Sequence, residues 1–376
     1  MASTAAQNAK AYVACVPHVP IISMQEREQN PGLWQAYDAS VAEFEAFDPD
    51  VVIVFGGDHY SHIHLKLAPT FMVGHLAEAG DDCGGTPGKL NVPMDLSTGL
   101  AEALIDDGFD IATSYAMKVD HGFSNVLGFF LRGDIGARPV IPVHINSLSK
   151  PRPTLKRCRQ LGEAVGRWAR STGKRVAFLG SGGLSHETAF IFPQYETAPN
   201  EEVRTFIVHG GGAGPISDQQ WHGDIESEMN KLSADLVSGE FKAPWINKKW
   251  DESFLKTLEA GDLSAFDSWT DKDILEKDGS PKLAGIKVKN SKSNGKDDGK
   301  SDSKGDGKNA NKKSQKGDSV IYITELQKGQ LRLISDSKYV LTGEVTGLES
   351  DNCLYSGQPH LISIMKEAAE KFESKD

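Results

Sequence analysis

The chain has 376 residues, of which 39% are hydrophobic, and this is enough apolar material for a large core. Its formal net charge of −11 argues against a general nucleic-acid-binding protein. No apolar run is long enough to span a membrane, and residues 1–10 lack the apolar segment of a secretory signal. The four cysteines form no Cys-x-x-Cys pair, which argues against structural zinc and favours a reducing compartment. We therefore expect a cytoplasmic protein without membrane or nucleic-acid partners.

Strands and helices alternate along the chain up to about residue 190, which is typical of βαβ units. The predicted strands are residues 11–16, 50–55, 111–115, 139–145 and 175–179, and the predicted helices begin near Pro31, Asp95, Leu155, Asp224 and Asp251, with Asp95 and Asp251 as caps. Residues 74–94 are rich in Gly, Asp and Pro and indicate a long loop over the sheet edge. The predicted fold is therefore α/β, a single large domain with a largely parallel central sheet flanked by helices.

The composition changes abruptly after this domain. Between residues 290 and 319, Ala310 is the only apolar residue, so no core can form and we expect a disordered insert. We divide the chain into a main domain (11–286), this Lys/Asp/Ser/Gly-rich insert (287–319) and a divergent C-terminal segment (320–376). Within the last segment we predict strands at residues 320–323 and 330–334 and a helix at residues 361–372.

Four histidines each follow a predicted strand within a few residues: His18, His59, His121 and His186. If the sheet is parallel, the carboxyl ends of its strands meet at one edge, which is where ligands bind in open α/β sheets. Histidine is the commonest metal ligand and the commonest general acid or base at neutral pH. A single histidine beside a strand is usually structural, but four at the same edge indicate a functional site. Two histidines and a carboxylate are typical of non-haem Fe(II) enzymes whose substrate and O2 bind one metal.

Two further polar residues near these strands have simpler interpretations. His144 lies inside the fourth predicted strand, so we expect either a buried structural histidine or one that supports the ligands of the site. Ser181 follows the fifth strand, but position 179 is Leu, and the segment lacks the Gly-x-Ser-x-Gly spacing of a nucleophile elbow. We therefore expect Ser181 to be a turn residue.

Three motifs together are specific enough to suggest a family: GDHY at residues 57–60, KVDHGF at 118–123 and LGSGGLSH at 179–186. They resemble motifs of the class III extradiol ring-cleavage dioxygenases, the superfamily of the protocatechuate 4,5-dioxygenase β-subunit. The likeness is greatest to the branch that acts on 2,3-dihydroxyphenylpropionate. The resemblance covers about residues 11–274, and it implies that the main domain is catalytic and holds Fe(2+).

The resemblance implies a role for each of the four histidines. His18 and His59 match the iron-ligating pair, and His121 and His186 match the acid–base pair. We assign His186 as the base and His121 as the acid, although the sequence leaves the two roles exchangeable. The residues expected to support the site are Asp58, Asp120 and His144, with Asp120 as an orienter of the acid.

The third iron ligand of the family is a Glu in a short His-Glu pair of the C-terminal part. No His-Glu pair occurs after residue 274 of this chain. A site of two neutral histidines would hold iron weakly, so we expect a carboxylate from elsewhere in that part. Glu325, which follows a predicted strand, is the first candidate, and Asp273 and Glu276 are the alternatives.

The predicted activity is the opening of a catechol ring beside its two hydroxyls, with both atoms of O2 inserted to give a 2-hydroxy-6-oxo-dienoate. By resemblance, the substrate is a monocyclic catechol with a carboxylate side chain, and we expect the chain to form a homo-oligomer. Two other hypotheses stay open. One is an iron-deficient homologue that acts as a binding or scaffold protein, which the missing Glu motif would explain. The other is a metal-dependent hydrolase, which the scarcity of Asp near these strand ends disfavours.

Overall fold

The computed structural model describes residues 11–18, 27–29, 31–183, 191–238, 248–261, 263–270 and 330–333. Its strands are β1 Tyr12–Val16, β2 Val51–Gly56, β3 Phe71–Gly74, β4 Ala77–Ala79, β5 Gly88–Lys89, β6 Ala112–Ser114, β7 Met117–Val119, β8 Val140–Ile145, β9 Val176–Ser181 and β10 Gln330–Leu333. Its α-helices are α1 Pro31–Phe47, α2 Met94–Asp106, α3 His121–Phe130, α4 Leu155–Ser171, α5 Glu201–His209, α6 Asp218–Ser238 and α7 Lys248–Ala260. Within this part of the chain, no helix combines the length and apolarity needed to cross a membrane.

The main sheet has the strand order β10-β1-β9-β2-β8-β3-β6. Every neighbouring pair runs parallel except β3 and β8, which are antiparallel. The sheet is therefore mixed: most of its neighbouring pairs are parallel, as expected, but the β3–β8 pair makes it not purely parallel. A parallel strand needs a crossover that returns the chain to the starting end of the sheet. Residues 57–70, between β2 and β3, contain no helix. The chain therefore stays at the carboxyl edge of β2, and β3 runs in the opposite direction.

The central strands are buried along their whole length because helices cover both faces of the sheet. Alternate residues of each strand enter two separate apolar clusters, as a period of two requires. On one face, Val52 and Val54 pack in the cluster that includes α1 and α3. On the other face, Ile53 and Phe55 pack in the cluster that includes α2, α4 and α7. The strands are continuous apolar runs in the sequence because both of their faces are buried under helices.

A second, three-stranded sheet, β5-β4-β7, occupies much of the region predicted as a loop at residues 74–94. Its strands have two or three residues each, which is too short for a periodic apolar pattern. A 3₁₀ turn at Asp82–Gly84 lies between β4 and β5. The strand predicted at residues 111–115 is present as β6, but β7 of the small sheet separates it from His121.

The predicted helix ends are partly wrong. Helix α2 begins at Met94 and has Pro93, not Asp95, at its N-cap position, and Asp251 lies inside the first turn of α7. Helix α6 begins at Asp218, earlier than predicted. The strand predicted at residues 330–334 is confirmed as β10, which pairs with β1. The predicted insert at 287–319, the strand at 320–323 and the helix at 361–372 lie outside the described residues.

Candidate active site

Three of the four strand-end histidines meet at the carboxyl edge of the main sheet. His18 lies just beyond β1, His59 just beyond β2, and His121 is the first residue of α3, which follows β7 of the small sheet. All three are buried, and each offers a ring nitrogen within 4.8 Å of the others. The rings of His59 and His121 are stacked with centroids 4.3 Å apart, and that of His18 is 4.9 Å from His59. His186, the fourth histidine, lies outside the described residues.

His18 and His59 face each other through their Nε2 atoms, which are 3.3 Å apart. Their other ring nitrogens already have partners: Nδ1 of His18 lies 2.8 Å from Ser181 Oγ, and Nδ1 of His59 lies 2.9 Å from Asp120 Oδ2. A carboxylate only accepts, so Nδ1 of His59 donates to Asp120, and Nε2 is the ring nitrogen left to face His18. The two Nε2 atoms can share one proton or bind one cation. Ligating histidines typically have such carboxylate or hydroxyl partners, so these residues fit a divalent transition metal.

Asp120 holds several groups of the site in place. Its Oδ2 accepts a second hydrogen bond from the backbone N–H of His59 at 2.8 Å, and its Oδ1 caps α3 through the N–H of Gly122 at 2.8 Å. Burial alone would raise the pKa of Asp120, but the adjacent His59 and His121 hold it well below its usual range. A Cβ added at Gly122 would lie 2.7 Å from the Gly57 carbonyl oxygen, so glycine there permits this close approach. Asp120, expected to orient His121, bonds His59 instead and lies 4.0 Å from His121 Nδ1.

His121 is held by Asp82, a residue that the sequence analysis missed. Asp82 Oδ2 lies 2.5 Å from His121 Nδ1 and accepts from the His121 backbone N–H at 3.2 Å. Burial would lower the pKa of His121, but the carboxylates of Asp120 and Asp82 outweigh it and raise that pKa to about 9. His121 is therefore protonated at neutral pH and can act as a proton donor.

Asp58, directly before His59, holds the backbone that follows it. Its carboxylate accepts from the backbone N–H groups of Ser61, His62 and Ile63 at 3.0–3.3 Å. These bonds close the turn that follows His59. Burial raises the pKa of Asp58 well above its usual range, and the charge of Asp120 adds to this effect.

His144 is buried in β8, as the sequence predicted. Burial lowers its pKa to about 4, so the ring is neutral at physiological pH. Within the described part of the chain, its Nδ1 has no hydrogen-bond partner. His144 is thus a neutral residue of the sheet interior.

Three side chains that the sequence analysis did not single out enclose the histidines. The Phe192 ring lies 5.0 Å from that of His59, and Trp221 Nε1 donates to the His59 carbonyl oxygen at 3.4 Å. Asn125 Nδ2 donates to the His18 carbonyl oxygen at 3.4 Å. Ser181, expected to be a turn residue, is instead the last residue of β9, and its Oγ contacts His18 Nδ1. No short-range pattern marks these residues, because they come from separate elements that meet only in the fold.

The described residues offer no carboxylate that joins His18 and His59. Among the residues that the structure describes, the groups whose donor atoms lie close enough for a metal are His18–His59–His121 and Asp82–Cys83–His121. The three carboxylate candidates Glu325, Asp273 and Glu276 lie outside those regions. Their assignment as iron ligands therefore stays a prediction.

Comparison with known proteins gives a consistent set of relatives. A family model described as the catalytic LigB subunit of aromatic ring-opening dioxygenase matches residues 12–288. A Pseudomonas putida protein named 2,3-dihydroxyphenylpropionate/2,3-dihydroxicinnamic acid 1,2-dioxygenase 2 is 35% identical over 269 residues, 71% of this chain and 83% of that protein. A Mycobacterium sp. (strain MCS) protein named 2,3-dihydroxyphenylpropionate/2,3-dihydroxicinnamic acid 1,2-dioxygenase is 37% identical, over 71% of this chain and 84% of that protein. A Cupriavidus necator protein of the same name is 38% identical, over 65% of this chain and 74% of that protein.

The matched segment contains every residue of the histidine cluster and its carboxylate partners Asp82 and Asp120. It ends before Glu325 and before β10. The family model covers well over half of the chain, and the relatives are similar over most of their own length. The chain therefore belongs to the LigB family of aromatic ring-opening dioxygenases.

Proposed function

We propose that this chain is an extradiol dioxygenase that opens a catechol ring beside its two hydroxyls, with iron bound by His18 and His59. The observation that carries the proposal is the pair of Nε2 atoms 3.3 Å apart, whose opposite ring nitrogens are held by Ser181 and Asp120. The names of the relatives support a substrate of the 2,3-dihydroxyphenylpropionate type.

The roles of the histidine pair follow from their partners. His18 and His59 would hold a ferrous ion, and that ion would supply the chemistry that brings a catechol and O2 together. Asp120 keeps the Nδ1 proton on His59 and so keeps its Nε2 free for the metal. The negative charge of Asp120 also offsets part of the charge of the cation. Phe192 and Trp221, both buried, contact His59 on this side of the pair.

The proton transfers are assigned to the two remaining histidines. Ring opening requires a base that takes a catechol proton and an acid that protonates the departing oxygen. We propose His121 as the acid, because two buried carboxylates hold it in the protonated form beside His59. His186 is proposed as the base from its place in the family motif. The expected product is a 2-hydroxy-6-oxo-dienoate.

A carboxylate from the C-terminal part completes the proposed iron site, with Glu325 as the first candidate. The pairing of β10 offers a competitor, because Leu333 lies beside Cys15, at the end of β1 nearer to His18. Asp336 follows Leu333 in the sequence, whereas Glu325 precedes the opposite end of β10. Glu325→Ala and Asp336→Ala should be compared for iron stoichiometry. The variant that loses iron identifies the ligand, and full iron in the Glu325 variant contradicts our first candidate.

The proposal as a whole is tested by loading the protein anaerobically with Fe(II) and offering a panel of catechols with and without a carboxylate side chain. We expect the yellow ring-opened product, formed fastest from catechols that carry a short carboxylate chain. Absence of bound iron would favour the alternative of an iron-deficient binding protein. Bound iron without cleavage of any catechol would contradict the proposed activity directly.

A further inference from the structure

We propose that Asp82 is the positioning residue of His121, and that the turn around Asp82 exists to present this carboxylate to the α3 N-terminus. This inference rests on the proposed function, in which His121 is the acid. Asp82 lies in the small sheet region, far in sequence from the motif that contains His121. No sequence motif joins the two residues, and only the fold brings them together.

The contacts between Asp82 and His121 define one ring orientation. A single carboxylate oxygen of Asp82 contacts both the side chain and the backbone of His121, at 2.5 Å from Nδ1 and 3.2 Å from N. The Nδ1 proton is thereby fixed on the Asp82 side of the ring. The Nε2 atom is left as the group that can exchange a proton with the reacting oxygen. Both residues are more than nine-tenths buried, so water does not compete for this bond.

The turn that carries Asp82 lies close to α3, and at two points a glycine backbone on one side faces a side-chain hydroxyl on the other. A Cβ added at Gly85 would lie 2.1 Å from Ser124 Oγ, and one added at Gly128 would lie 2.2 Å from Thr86 Oγ1. Ser124 and Gly128 belong to the same helix as His121. The turn and the helix therefore approach each other at two points that larger residues would push apart, which holds the carboxylate at a fixed distance from the imidazole.

Two features of the turn lower the stability of the fold. Cys83, directly after Asp82, has a φ of 50°, in the left-handed region that non-glycine residues seldom adopt. The second oxygen of Asp82, Oδ1, is buried and has no hydrogen-bond partner among the described residues. A buried acceptor without a partner costs about 1–3 kcal/mol. Asp120, by contrast, uses both of its oxygens. A functional role of the bond between Asp82 and His121 would explain why the chain tolerates this loss of stability.

The test compares Asp82→Asn with Asp81→Asn, a matched control at the exposed neighbouring carboxylate, which makes no side-chain cap bond. In Asp82→Asn we expect kcat to fall roughly 10- to 100-fold, the usual effect of losing an outer partner, with KM for the catechol changed less than about twofold. Asp81→Asn should match the parent. Asp82→Glu, which restores a carboxylate, should recover part of the lost kcat.

A double variant separates positioning from a general loss of structure. If Asp82 acts through His121, then Asp82→Asn added to His121→Gln should cause no further loss of kcat. A second full loss in that background, or a parental kcat in Asp82→Asn, would overturn the inference.

A readout independent of catalysis distinguishes failure of this inference from failure of the proposed function. In the full-length ¹⁵N-labelled protein before metal loading, the Nδ1 proton of His121 should give a downfield resonance. It should persist in Asp81→Asn and vanish in both Asp82→Asn and His121→Gln. A parental protein with this resonance but no catechol cleavage would refute only the proposed activity. A resonance unchanged in Asp82→Asn would refute the role of Asp82.

Discussion

The two sheets bring histidines to the same site by different means. The main sheet places His18 and His59 just after buried, parallel-paired strands of five and six residues, whose positions are set by packing on both faces. The small sheet delivers His121 and its partner Asp82 through strands of two or three residues and a 3₁₀ turn. The proposed metal ligands thus belong to the main core, whereas the proposed acid depends on a few close contacts between a turn and a helix.

The largest expected effect comes from removing either of the two proposed metal ligands that the main sheet positions. His18→Ala or His59→Ala removes one of two facing nitrogen ligands, so we expect the bound iron to fall from about one per chain to near zero. Catechol turnover should disappear with it. His209→Ala, at an exposed histidine on α5, is the matched control and should keep full iron. Metal analysis after gel filtration measures the effect, and full iron in either site variant would show that the ligand assignment is wrong.

The next effect addresses the acid–base pair and should leave the metal in place. His121→Ala and His186→Ala should retain iron and still bind catechol, because neither is a proposed ligand. Loss of a general acid or base typically lowers the rate roughly 10²- to 10⁴-fold. Steady-state kinetics and metal analysis on the same samples check both statements. A loss smaller than about tenfold would exclude that role for the residue concerned.

A smaller effect tests whether the turn and α3 must touch. Gly128→Ala would place a methyl group 2.2 Å from Thr86 Oγ1, so we expect the free energy of unfolding to fall by about 1–3 kcal/mol and turnover to slow. Gly223→Ala is the matched control, since Gly223 lies in helix α6 with no atom within 4 Å of the added methyl. Alanine should stabilise that helix by roughly 0.5–1 kcal/mol. Equal effects of the two substitutions in chemical denaturation would argue against a locked turn.

The same contrast explains how much of the molecule was predictable from its sequence. Strands β1, β2, β8 and β9 were predicted because double burial makes each a continuous apolar run. Their order in the sheet and the reversal of β3 depend on contacts between distant segments, which no local pattern records. The region around Asp82 looked like a loop because its strands are too short to show periodicity.

The histidines of the site were predictable from the sequence, but two of their hydrogen-bond partners were not. His18, His59 and His121 were found from their positions after strands and from the family motifs, and the fold brings them together. Asp82 was missed because Asp and Gly in a turn region usually signal only a turn. Ser181 was identified only as a turn residue because its contact with His18 joins two strands that are distant in sequence.

The central claim is that this chain inserts both atoms of O2 into one catechol ring beside its hydroxyls. The most direct measurement is a single turnover of the anaerobically iron-loaded protein with 2,3-dihydroxyphenylpropionate and ¹⁸O2, followed by mass spectrometry of the product. We predict one ring-opened 2-hydroxy-6-oxo-dienoate that contains both heavy oxygen atoms before exchange with water. An uncleaved catechol would contradict the claim. So would a muconate-type product, in which cleavage between the two hydroxyls has created two new carboxyl groups.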